Sequence, residues 1–175
     1  MDATGSALAW GIDDAILNGP GAGRPLGVVN AASTITVNKE SGQTSGTFSF
    51  ENATAMFSRL HPACAANSIW LANPSTLPQL LSMTVGTGSS GTWYPALTQQ
   101  TGVYSLLGRP LFLTEKCAVL GTKGDVVLLD PSQFILGMRK GITVALSEHI
   151  KFASDEIVLR VTVRLDGLPG WGRAF

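Results

Sequence analysis

Residues Asp155 to Gly167 read D-E-I-V-L-R-V-T-V-R-L-D-G. Ile157, Leu159, Val161, Val163 and Leu165 fall on one side, and Val158, Arg160, Thr162 and Arg164 on the other. Strict alternation sorts two chemistries onto the two faces of an extended chain. The run is β-branched and its ends are polar, so it predicts a long, half-buried strand with a basic open face. A one-residue slip would turn the whole apolar set to solvent, so any fold containing this strand must fix its register.

The rest of the chain mixes helical and extended patterns. Leu8, Ile12, Ala15 and Ile16 make Ala7 to Leu17 a helix, stopped by Asn18-Gly19-Pro20-Gly21. A Gly/Pro loop follows, Gly19-Pro20-Gly21-Ala22-Gly23-Arg24-Pro25, and Thr34 to Val37 reads as a short strand. Ser49 is placed as an N-cap with Glu51 in the first turn, before the stripe Ala53, Met56, Phe57 and Leu60. Pro62 excludes helical geometry at His61 and closes that helix. Ile69-Trp70-Leu71 predicts a buried strand, and Asn73-Pro74 a helix start whose apolar face is Leu77, Leu80 and Leu81. Gly86 to Thr92 is a Gly/Ser/Thr loop, expected to be mobile together with its neighbours up to Tyr104. Leu111 to Thr114, Val126 to Leu129, Ile135 to Met138 and Ile142 to Leu146 are short strand candidates. Helices early and strands concentrated late indicate an α+β fold.

At 175 residues the chain supports one core. Twelve basic and twelve acidic residues cancel, which argues against binding to nucleic acid or a membrane surface by bulk charge. Charged residues make up only 14%, against about 25% in typical soluble proteins. No apolar run reaches the roughly 18 residues of a spanning helix. Burial of surface against other subunits accounts for the low charge, with an apolar-rich monomer as the alternative. Cys64 and Cys117 have no paired spacing, so no disulfide framework is implied and a reducing compartment is compatible. Met1 to Trp10 lack the pattern of a signal peptide.

Candidate chemistry is sparse. The loop Gly19 to Gly23 is glycine-rich, but a dinucleotide fingerprint needs a strand before it and a helix after it, and here the order is reversed. No Lys-Ser or Lys-Thr follows, so it is not a P-loop, and a structural turn is the better reading. His61 and Cys64 have ligand-like spacing, yet zinc needs about four ligands, and His149 and Cys117 are isolated. No G-x-S-x-G elbow is present. These residues therefore predict no catalytic, cofactor-binding or metal site. Arg160 and Arg164, with Lys151 upstream, leave two readings open: a solvated sheet face, or a surface meeting a subunit or a polyanion.

Six pieces in order resemble the major capsid protein of tailed bacteriophages, the Hong Kong ninety-seven type of shell protein. Asp14-Ala15-Ile16-Leu17-Asn18-Gly19-Pro20-Gly21 with Arg24-Pro25-Leu26-Gly27 is similar to the family's Gly-rich turn at the end of its spine helix. Trp70-Leu71-Ala72-Asn73, with Thr76 and Leu80, resembles its tryptophan-asparagine motif. Leu106-Leu107-Gly108-Arg109-Pro110-Leu111 resembles its leucine-leucine-glycine-x-proline element. Gly124-Asp125 with Phe134 and Arg139-Lys140-Gly141 follows, then Phe152-x-x-Asp155, and last Arg160…Arg164-x-Asp166-Gly167.

The resemblance implies a structural virion protein, not an enzyme, whose partner is itself in the pentamers and hexamers of a shell. It implies packaged DNA as an indirect, non-specific neighbour, no cofactor, no membrane and no small-molecule substrate. Location in a virion and synthesis in the bacterial host cytoplasm follow in the same way. The implied fold is a central mixed sheet flanked by helices. Residues 1–27 would be a peripheral-domain remnant, 28–147 the axial domain, 148–167 the long peripheral strand and 168–175 a tail. The family's N-terminal arm, extended loop and most of its spine helix have no counterpart in the sequence, which corresponds to the family's C-terminal part. The terminal strand is then expected to be under-covered, partnered by another subunit or partly exposed, with Leu159 and Val161 as the test. A nanocompartment shell protein and a small anion- or nucleotide-binding enzyme are the alternatives.

Overall fold

Large apolar residues at every second position build the centre of the molecule. The computed structural model describes residues 2–85, 94–95, 97–100 and 102–170. Among them run the helices α1 (Asp2–Asn18), α2 (Phe50–Arg59) and α3 (Leu77–Ser82). The strands are β1 (Ile69–Ala72), β2 (Thr84–Val85), β3 (Tyr94–Pro95), β4 (Leu97–Gln100) and β5 (Val103–Leu106). They continue with β6 (Arg109–Leu113), β7 (Val126–Leu129), β8 (Phe134–Lys151) and β9 (Glu156–Pro169). A five-stranded sheet has the order β4-β5-β6-β1-β7. It is mixed, because β1 runs parallel to β6 and antiparallel to β7. The α+β expectation holds.

Strand β1 points Trp70 and Ala72 into one core, and Ile69 and Leu71 against a second on the other face. Strand β7 divides alike, Val126 and Leu128 to the first and Val127 and Leu129 to the second. A short strand buried on both faces reads as a continuous apolar run, which is why V-V-L-L shows no alternation. Trp70 is fully buried, and its indole N–H donates to Leu106 O at 3.0 Å. The first core is closed by Ala53, Met56 and Phe57 of α2 and by Leu77 and Leu80 of α3. The second takes Leu17, Val28, Cys64 and Cys117.

The caps explain where the helices begin. Ser49 accepts the Asn52 N–H, and the Asn52 side chain accepts the Ser49 N–H at 2.9 Å, a capping box with Asn in the third position. Asn73 accepts the Ser75 N–H at 3.0 Å and starts a single tight turn (Pro74–Thr76), from which α3 continues. Between β5 and β6, Leu107 and Gly108 have φ of 51° and 74°, a two-residue hairpin turn with both residues left-handed.

Three expectations need correction. Thr34 to Val37 is not a strand; among the described residues it has no ladder partner. Leu81 does not join the α3 face: it is exposed, because the six-residue helix turns only Leu80 fully inward. Ile135 to Met138 and Ile142 to Leu146 are one strand, β8, carried through Arg139-Lys140-Gly141 by register shifts. The expected boundary at Ser147 thus falls inside β8, where Ser147 pairs with Val158. Gly86 to Thr92 lies outside the described residues, and its expected mobile neighbours 97–100 and 103–104 are strand.

Candidate assembly interface

Among the described residues, strands β8 and β9 pair only with each other, as a long antiparallel ribbon. Residues directly opposite in such a ladder share a face. Val144 lies opposite Val161, Leu146 opposite Leu159, and Met138 opposite Leu165. Alternation adds Ile142 and Val163 to the same face. Farther down, Phe134 pairs with Pro169, and Leu136 with Gly167. Here the face enters the body: Gly167 and Pro169 are buried, and Phe134 packs on the second core. A Cβ on Gly167 would lie 2.7 Å from the Phe134 ring, so glycine lets the ring cross the strand. One apolar face is therefore core at its base and uncovered beyond it. Leu146 is 72% exposed, Ile142 62%, Val144 61% and Leu159 46%. The expected under-covered strand is borne out: Leu159 is exposed and Val161 only half-buried.

The base is clamped from two sides. Leu26 N–H donates to Gly167 O at 2.8 Å, and Gly170 N–H to Gln133 O at 2.7 Å. The glycine-rich turn after α1 thus ties helix and ribbon together.

Beyond the exposed Ile135–Leu168 pair, the opposite face is mostly polar. Thr143 and Thr162 share a hydroxyl hydrogen bond of 2.6 Å, Ala145 faces Arg160, and Lys140 faces Arg164. The last is a like-charge pair directly across the ladder. Arg160 and Arg164 are exposed, as expected of the basic face, while Lys151 pairs with Glu156.

The other sequence candidates go elsewhere. In the Gly19 to Gly23 loop, Gly19 N–H bonds Ala15 O at 3.0 Å, Gly21 N–H bonds Pro25 O at 3.3 Å, and Gly27 N–H bonds Gly19 O at 2.9 Å. Amides that a phosphate cradle would aim outward are used within the turn. His61 Nδ1 accepts the Ala63 N–H at 3.2 Å. Cys64 is buried; burial first, then the charge and hydrogen bonding of the neighbouring Asp130, push its thiol pKa up. Among the described residues no three His, Cys, Asp or Glu side chains form a metal-binding group. A cavity of about 320 Å³ separates residues 34–39 from β7, lined by Val126, Leu128, Lys123 and Asp125 among others. Asp125 is spent on the N–H groups of Gly121 and Val126.

Sequence reasoning found half of the ribbon face, the β9 half. It missed that Met138, Ile142, Val144 and Leu146 are its other half. The signal was present in the alternation of Ile142, Val144 and Leu146, but R-K-G before it reads as a turn.

The profile described as "Phage capsid family" matches residues 1–175. No curated protein matches the sequence. Solved capsid structures share the fold. The capsid of an empty GTA particle, computed with C5 symmetry, aligns over 99% of this chain and 62% of its own, with TM-score 0.74 and 15% identity. The capsid of the native GTA particle, also computed with C5 symmetry, aligns over 96% of this chain and 60% of its own, with TM-score 0.73 and 15% identity. The chain thus spans less than two thirds of the length of these capsid chains.

Proposed function

The chain belongs to the phage capsid family, and from that membership we propose that it is a structural shell subunit whose work is self-association rather than catalysis. The observation that carries this reading is the uncovered apolar face of the β8–β9 ribbon. Monomers rarely leave such a patch contiguous and open, and a two-stranded ribbon needs a cover to be stable. The C5 symmetry of both GTA capsids supports assembly around an axis, with the five-stranded module as the part that packs side by side. In domain terms, α1 and the ribbon form the peripheral part and residues 28–133 the axial part. The pairing of β8 with β9 supports a boundary at the turn Pro131–Gln133 rather than at Ser147.

The shell would enclose DNA and meet it without sequence readout. The Lys140–Arg164 pair offers charge to phosphate, and nothing in the ribbon is shaped for bases. The mature location is the virion, after synthesis in the bacterial host cytoplasm. Analytical ultracentrifugation across a concentration series tests the reading. Concentration-dependent oligomers are expected; a single monomer boundary at every concentration would overturn self-association for this chain.

A further inference from the structure

We infer that Lys116 is a latch that sets the direction of α1, and with it the angle between the peripheral and axial parts of the subunit. The latch follows from contacts made within the chain; only its effect on assembly rests on the shell-subunit reading.

The joint is the loop 114–118, which leaves β6 and is held from both parts at once. On the axial side, Thr114 N–H donates to Ala72 O at 2.9 Å, and the Asn73 side-chain amide donates to Cys117 O at 2.7 Å. On the peripheral side, the Asn18 side-chain amide donates to Lys116 O at 2.8 Å and to Asp14 Oδ1 at 2.9 Å. Consecutive carbonyls of one loop are thus held by asparagines of the two parts. The Asn30 side-chain amide donates to Asn18 O at 2.9 Å, and Leu17 sits in the second core. These contacts fix where α1 ends. They act at its last turn, so they leave its direction open. Over 17 residues the helix runs about 25 Å, and a small tilt at one end moves the other by several ångströms.

Lys116 supplies the second point. Trp10, Asp13, Asp14, Leu17 and Asn18 stand at i, i+3, i+4, i+7 and i+8, one stripe of α1. Lys116 Nζ reaches that stripe, 3.6 Å from Asp13 Oδ2 and 5.6 Å from the centre of the Trp10 ring. Its side chain is only 13% exposed, so its methylenes are packed while its charge is used. Electrostatics favours a cation here. The helix has no basic residue in its last turn, and Asp13 and Asp14 lie towards the negative end of its dipole. Asp13 is 64% exposed, which keeps the ion pair weak and open to screening. The contact therefore biases the direction of α1, and salt can release it. Closure of a symmetric assembly depends on the angle between a subunit's contacts, so the latch bears on how subunits meet.

The test reads that angle in the full chain. Spin labels go on Gly5→Cys in α1 and Leu81→Cys in α3, both exposed positions, while Cys64 and Cys117 are buried and the chain without added cysteines controls for them. Pulsed electron resonance is expected to give one narrow distance distribution when Lys116 is present. Lys116→Met should make it roughly twice as wide, and Lys116→Arg, which keeps the charge and the ring contact, should restore it. About 1 M salt should widen the parent distribution and leave that of Lys116→Met unchanged. Circular dichroism confirms folding, and Asp13→Asn, which breaks the same ion pair, replaces Lys116→Met if that variant is unfolded. A parent distribution already broad in low salt overturns the latch, and so does Lys116→Met as narrow as the parent. Failure of Lys116→Arg to restore the width also overturns it, because the packed stem and not the charge would then hold the helix. In ultracentrifugation Lys116→Met is expected to form a wider spread of oligomers than wild type; an equal spread overturns the link to assembly. If wild type is monomeric yet gives the latch signature in the distances, the shell reading fails and the latch stands.

Discussion

At the residue scale, the tightest constraint is a pair of glycines. A Cβ on Gly19 would lie 2.1 Å from Pro25 O, and one on Gly27 would lie 2.4 Å from Gly19 N. Both neighbours are backbone and cannot step aside without opening the turn that joins α1 to the ribbon base. Gly27→Ala is therefore expected to cost about 3 kcal/mol, the upper end for an overpacked site, because the obstructing atoms are backbone. Gly23 has a φ of +70° but open space around it, so Gly23→Ala should cost only about 1–2 kcal/mol. Urea melts of the two variants check the contrast; equal losses would show that conformation, not space, sets the sequence. Cys117 makes a second prediction. Burial, then the Asp125 charge, pushes its thiol from 9.0 to about 11. Between those values the unfolded chain has released the proton and the folded chain has not. Stability is thus intact below pH 9 and is lost as pH rises from about 9 to about 11. Cys117→Ala should flatten that part of the curve in thermal melts taken across the range.

At the element scale, the ribbon carries a removable conflict. Lys140 and Arg164 stand opposite each other with like charge. Lys140→Glu would turn this into an attractive cross-strand pair and should stabilise the chain by about 0.5 kcal/mol, an effect that fades in high salt. A melting temperature that falls, or does not respond to salt, would place the two side chains apart. This pair also shows what the sequence does and does not reveal. Strand β9 is legible because its alternation is unbroken from Ile157 to Leu165. Strand β8 is not, because R-K-G carries turn chemistry while the ladder absorbs it through irregular register. The capped helix α2 is legible from Ser49, whereas β4 and β5 are not, since T-Q-Q and V-Y-S-L acquire strand geometry from pairing. Thr34 to Val37 fails in the opposite sense: its β-branched residues favour an extended chain, but no strand edge reaches it.

At the scale of the whole molecule, the two cores and the ribbon are separable. Between them the two cores draw on α1 to α3, β1 and β4 to β7, and among the described residues of the ribbon only Phe134 enters either. The open face was half legible in the sequence, as a strand expected to lack a cover. Its extent was not, because exposure depends on what fails to pack over a face, and no local pattern records that. A truncation tests the division. Gly137 and Asp166 are ladder partners, so a two-residue Asn-Gly turn can join them in place of residues 138–165. The shortened chain keeps Phe134, Gly167 and Pro169, and with them the base and the Leu26–Gly167 clamp. Most of the apolar surface it sheds is exposed in the folded chain, with Val161, Val163 and Leu165 only half-buried, so its removal costs little burial. The expected product unfolds in one cooperative transition within a few degrees of the parent and no longer associates through the ribbon. A chain that fails to fold, with the cores otherwise intact in sequence, would mean that the ribbon stabilises the body it projects from. The uncovered face would then act in folding as well as in assembly.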